Sequence, residues 1–179
     1  MANWPYNMTQ MISLLAPPVT EPATNVTGIA CGPYVSGNRT CSGQGVKIGT
    51  LPSPWPPPPN TPTLNNVPRY VYANVGSGGL LKLTGASSGS GLLVIDGDAE
   101  FEAGFQWYGL IVVRGVVKFL GGGSNTNIYG AVLAGTSVTN VSAMTSTGGS
   151  VNIVYNSCAF RYNNQSQPLR FLSFREIQQ

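Results

Sequence analysis

Four of the six acidic residues in this 179-residue chain fall between positions 96 and 102: Asp96, Asp98, Glu100 and Glu102. In a β-strand, alternate residues project from one face, so this spacing gathers all four carboxylates on a single face. Two chemistries use such a group. Calcium takes carboxylate oxygens as hard ligands, and a carboxylate pair at fixed separation cleaves glycosidic bonds. Other candidates are few. Trp107, Tyr108 and Tyr129 carry rings that can stack on a sugar, with Trp107 and Tyr108 alternatively covering a turn. Cys31 and Cys41 bracket a turn-rich loop that a disulfide can close, with two buried free thiols as the alternative. Their spacing is not that of a metal knuckle. Cys158 is left over, and with no histidine to activate it, it reads as a small buried hydrophobe. The run Gly121-Gly-Gly-Ser-Asn lacks the lysine and following helix of a phosphate loop.

Composition narrows the classes further. Histidine is absent, which excludes Ser-His-Asp and Cys-His catalysis, His-ligated zinc or haem, and imidazole pH switching within these residues. Charged residues make up 8% of the chain, against about 25% in an average soluble domain. Nine Lys and Arg against six acids leave +3, no electrostatic footprint for nucleic acid. No apolar run approaches the roughly 18–20 residues of a membrane span. The first residues, Met1-Ala-Asn-Trp-Pro-Tyr, show no signal peptide, so an export signal is expected to be removed or to lie upstream. Sequons at Asn7, Asn25, Asn38, Asn140 and Asn164 are weak signals in so Asn- and Thr-rich a chain. An extracytoplasmic, oxidising setting is expected.

The elements that hold these residues follow from periodicity. Met8, Met11, Ile12 and Leu15 predict one short helix, stopped by Pro17-Pro18. Residues 1–51 read as this helix plus loops, an arm or cap. Residues 52–68 open with a proline-rich extended strap, 52–63, either a polyproline ligand or a stiff connector between the ends of the domain, with Trp55 anchored on the domain's own surface. Residues 69–160 carry a repeat. Gly91-Leu-Leu-Val-Ile-Asp-Gly-Asp-Ala-Glu-Phe matches Gly109-Leu-Ile-Val-Val-Arg-Gly-Val-Val-Lys-Phe at an offset of 18, putting Leu93 on Ile111, Gly97 on Gly115 and Phe101 on Phe119. The shared glycine marks a bend between two short strands. The pattern returns at 129–135 and 151–155, and residues 161–179 form a tail. Self-similarity at 18–21 residues predicts a short parallel β-helix, mainly β in class. The same register sets Asp96 beside Arg114 and Glu100 beside Lys118, and leaves Asp98 and Glu102 facing Val116 and Leu120. Opposed charges in stacked coils offer a structural reading of the acid cluster.

These coils resemble the C-terminal domain of PilX-type pilus-assembly proteins of bacteria. The resemblance rests on the strand at 91–98, the strand Tyr108-Gly-Leu-Ile-Val-Val-Arg-Gly115, the strand Gly130-Ala-Val-Leu133, the segment Tyr155-Asn-Ser-Cys-Ala159, then Pro168-Leu-Arg170 and Phe174. It covers about residues 69–176. Precursors of that family begin with a hydrophobic pilin-like helix that this chain lacks, so the resemblance implies a surface-displayed domain rather than insertion in a pilus core.

The expectation is therefore a non-enzymatic structural subunit of a bacterial extracellular filament or pilus-associated assembly, without cofactor. It would associate with its own copies through solenoid ends or an exchanged N-terminal arm. The alternative is a carbohydrate-binding adhesin or fibre module on the same scaffold.

Overall fold

A computed structural model describes residues 7–17, 20–58, 65–120, 123–140 and 150–159. Helix α1 (Met8–Leu15) starts where the Asn7 side chain accepts from the Gln10 N–H at 2.9 Å while Gln10 Oε1 accepts from the Asn7 N–H at 3.0 Å. This reciprocal cap satisfies two donors that an open helix end leaves unpaired. Strands follow: β1 (Glu21–Pro22), β2 (Ile29–Cys31), β3 (Thr40–Gln44), β4 (Lys47–Ile48), β5 (Arg69–Asn74), β6 (Leu80–Thr84), β7 (Ser88–Asp96), β8 (Asp98–Phe101), β9 (Gln106–Val113), β10 (Val116–Phe119), β11 (Thr126–Ala134), β12 (Ser137–Asn140) and β13 (Val151–Val154).

They form a parallel β-solenoid of two sheets. One runs β1-β5-β7-β9-β11-β13 with β4 also on β7, the other β12-β10-β8-β6-β3-β2. The expected register holds residue for residue: Leu93 opposes Ile111, Ile95 opposes Val113, and Phe101 opposes Phe119. The next coil is offset by 21, from Gly109 to Gly130, and the last by 25, from Ile128 to Ile153. Inward side chains such as Leu93, Ile95, Phe101, Ile111 and Val117 are fully buried in one continuous core. Gly97 and Gly115 stand at stacked corners between β7 and β8 and between β9 and β10, joined by the Gly115 N–H donating to the Gly97 carbonyl at 3.0 Å. A Cβ on Gly115 would collide with the Asp98 carboxylate.

A second glycine ladder, Gly91–Gly109–Gly130, crosses the middle of β7, β9 and β11. All three have positive φ (113°, 138° and 144°), a conformation that L side chains rarely adopt.

The outer face of this sheet is apolar as well. Leu92, Val94, Leu110 and Val112 point away from the core and are buried with Ile12, with Met8, Met11, Leu15, Tyr70, Tyr72, Ala131 and Leu133 packed around them. Helix α1 therefore lies across the flank of the solenoid and does not cap an end. The reason is visible in β9: Ile111 and Val113 fill the interior while Leu110 and Val112, on the opposite face, need a second cover.

The proline-rich strap also differs from its expectation. Lys47 and Ile48 of β4 oppose Ser88 and Gly89, and Arg69 of β5 opposes Gly91. Residues 49–68 are thus an insertion within what is a single strand in the next coil, not a connector between ends. Its base is closed by the Thr50 N–H donating to the Val67 carbonyl at 2.9 Å and by the paired bonds between Ser53 and Asn65. The Ser53–Pro54 and Trp55–Pro56 bonds are cis. Trp55 anchors on the protein's own surface as expected, edge-on to Tyr129 at 5.2 Å.

Residues 20–48, expected to belong to an arm or cap, supply four strands of the two sheets. Ala23, Val26 and Ile29 roof the first end of the core. There β2 pairs antiparallel with β3, Cys31 opposite Cys41, and a disulfide joins the two.

Candidate functional site

The acid cluster is divided by the Gly97 corner. Asp96 ends β7 in one sheet, whereas Asp98 and Glu100 lie on β8 in the other and Glu102 just follows it. Even spacing keeps all four on the outside, but on two sheets rather than one flat face. Each carboxylate is tied to a different neighbour. Asp96 bridges three coils: the Tyr72 hydroxyl donates to its Oδ2 at 2.8 Å from the coil before, and Arg114 Nε lies 2.6 Å from its Oδ1 in the coil after. The Arg114 pairing is the one the repeat offset predicts.

The other expected pair does not form. Glu100 is flanked in register by Lys82 on β6 and Lys118 on β10, and its ion pair is with Lys82 at 2.6 Å. Lys82 also reaches Glu102 at 3.0 Å. One ammonium between two carboxylates gains from both, which draws Glu100 toward the earlier coil. Glu102 is thus compensated, contrary to the sequence expectation. So is Asp98, whose Oδ1 accepts from the Val116 N–H at 2.8 Å and so stitches β8 to β10.

The electrostatics agree with this division of labour. Hydrogen bonds to Glu100 and Glu102 raise the Lys82 pKa above its ordinary value. Burial, and then the bond to Asp96, raises that of the Tyr72 hydroxyl well above its ordinary 10.0. The Arg69 guanidinium, 2.6 Å from Glu21, is raised chiefly by that hydrogen bond. All five acids within the described residues therefore engage a cation or a donor. Among those residues, no three His, Cys, Asp or Glu side chains gather as a metal-binding group. Chemically, the arrangement joins consecutive coils and fixes their register.

The aromatic candidates form no sugar platform, and Trp107 and Tyr108 do not cover a turn as expected but lie within β9, both buried. Trp107 is 0% exposed and lies inside the core, its ring parallel to Phe105 at 6.1 Å, in the stack that continues to Phe101 and Phe119. Its position was legible, since Trp107 shares the parity of Ile111 and Val113. Tyr108 points outward yet is buried. Tyr129, in register with it, is half-buried against Trp55.

Sequence reasoning missed the roles of Tyr72 and Lys82. The partial repeat Leu81–Gly85 sets Lys82 beside Glu100 at the same offset of 18, a signal that was present, whereas Tyr72 meets Val94 at an offset of 22. It set Gly91 on Gly109 but missed that Gly130 continues the ladder at an offset of 21. Cys158 is free and buried. Among the sequons, Asn7 is engaged as the helix cap. Asn38 accepts from the Gly78 N–H at 2.8 Å, and Asn25 is exposed. The Asn140 side chain, Asn164, and residues Pro168, Arg170 and Phe174 lie outside what the structure describes. No helix of the described residues is long and apolar enough to cross a membrane. Compared with protein-family models, curated proteins and solved structures, the chain matches none.

Proposed function

We propose that the protein is a non-enzymatic structural subunit of a bacterial extracellular or pilus-associated surface assembly, and that it associates with copies of itself through an end of its solenoid. The observation that carries this reading is the far end of the core. Trp107 and Ile128 are fully buried in one inward ladder, whereas Ile153, the next rung, is 43% exposed. Among the described residues β13 is the last strand of its sheet, and such an edge offers backbone donors and acceptors together with apolar rungs, which is what strand addition requires. The low charge adds little self-repulsion on close packing. The disulfide supports an oxidising compartment, as at a cell surface.

Sedimentation of the purified chain over about a hundredfold range of concentration tests the reading. Mass that rises with concentration supports it, and strictly monomeric behaviour throughout overturns it.

A further inference from the structure

We infer that this association is C-terminal end to C-terminal end between two copies, related by a two-fold axis, so that it closes as a pair and does not grow into a filament. The inference rests on the reading above and specifies its partner and geometry.

The two ends of the solenoid are built differently. At the first end, Ala23, Val26 and Ile29 close the core. The edge strands there are short. β1 is two residues long and contains Pro22, which has no N–H to offer, and β2 is three residues turned antiparallel across β3 and bonded to it through Cys31–Cys41. Short edges and proline are devices that discourage further strand addition.

The other end, whose edge strands β12 and β13 have four residues each, shows no proline, antiparallel turn or disulfide among the described residues. β13 pairs with β11 and lies at the edge of its sheet. Its stretch, Ser150-Val-Asn-Ile-Val-Tyr-Asn-Ser-Cys-Ala159, contains no charge and no proline. Ile153 is 43%, Val154 37% and Tyr155 74% exposed. Val151 and Ile153 continue the inward ladders of Thr126 and Ile128, so they face along the open core.

Among the described residues one end is open and the other closed, and such a molecule cannot stack head to tail. It can pair only with the same end of another copy, which is an isologous contact. A two-fold axis makes the paired strands antiparallel. Centred on Asn152, the pairing sets Val151 opposite Ile153 of the second copy and joins the two cores. Residues 160–179 carry Arg161, Arg170, Arg175 and Glu176, charges that this uncharged edge does not answer, beside apolar residues such as Phe171 and Phe174, and the test below separates them from a second copy as the occupant.

The test uses the full chain in sedimentation velocity, with circular dichroism to confirm that each variant keeps its strand signal. Dimers and no larger species are expected for the wild type. Ile153→Lys is expected to weaken the dimer at least tenfold, while Ala30→Lys, at the exposed middle of β2, leaves it unchanged. Asn152→Cys, in a Cys158→Ser background, is expected to form an interchain disulfide under mild oxidation. Open-ended polymers, association sensitive to Ala30→Lys, or dimers that fail to cross-link each overturn the inference while leaving self-association standing. Monomers at every concentration overturn both; if the introduced thiol then resists a maleimide, residues 160–179 are the occupant of this end.

Discussion

Each coil is held to the next at single positions where a side chain either cannot be present or must be. Gly109 is the clearest case of the first kind. Its φ of 138° and the overlap any Cβ would make with the Gly91 carbonyl oxygen leave no room for a side chain. Gly109→Ala is expected to cost about 2–4 kcal/mol, from backbone strain and displaced neighbours together. Gly123, also at positive φ (66°) but with nothing within 4 Å, isolates the strain alone, and its alanine variant is expected to cost about 1 kcal/mol. Denaturant midpoints decide, and equal losses at the two sites would refute the steric account.

Tyr72 is of the second kind. Burial and the bond to Asp96 keep its hydroxyl protonated in the folded state, while the unfolded chain ionises near 10.0. The stabilisation is therefore complete below that pH and is lost as pH rises above it. Wild-type stability is expected to fall more steeply than that of Tyr72→Phe between about pH 10 and 11. Parallel pH profiles of the denaturation midpoint would show that the folded tyrosine is not held protonated.

At the scale of elements, the larger sheet is an unusual load because both of its faces are apolar. The interior takes Leu93, Ile95, Ile111 and Val113, and helix α1 covers Leu92, Val94, Leu110 and Val112. An isolated helix of eight residues is too short to persist in water, so α1 owes its existence to this face. Ile12, almost completely buried, is its contact with the sheet. Ile12→Ala is expected to cost about 2–4 kcal/mol, whereas Leu14→Ala, at a position 64% exposed, should stay within about 0.5 kcal/mol of wild type. Thermal unfolding of the two variants separates the outcomes, and an undiminished Ile12→Ala would mean that the helix does not hold the flank. The strap adds contacts to the same sheet before the glycine ladder, where Trp55 meets Tyr129 and Asn66 Nδ2 donates to Ser90 Oγ at 3.3 Å.

On the scale of the whole molecule, charge is spent on joining coils, and residues 150–159, the described stretch at the open end, have none. Association through residues 150–159 should then depend little on ionic strength. Between about 50 and 500 mM salt, the dimer dissociation constant is expected to stay within about threefold. A steep salt dependence measured by sedimentation would place the contact elsewhere, on the Lys82 or Arg114 surfaces.

The parts of this protein legible in the sequence are those that repeat. A parallel solenoid sets equivalent residues directly on one another, so a local alternation copied at an offset of 18 specified Leu93 on Ile111, Phe101 on Phe119, the Gly97 and Gly115 corners, and the Asp96–Arg114 pair. Helix α1 and the Cys31–Cys41 loop were legible too, the first from its own spacing and the second from the turn between its cysteines. What tertiary structure decided has no period. Whether Glu100 turns to Lys82 or Lys118 depends on where Glu102 lies. Ile12 meets Val112, Trp55 meets Tyr129, and Ala23 roofs the core, each joining segments that share no repeat. Periodicity propagates a register along the coils, but covers and ends are chosen by which distant apolar surface still needs burying.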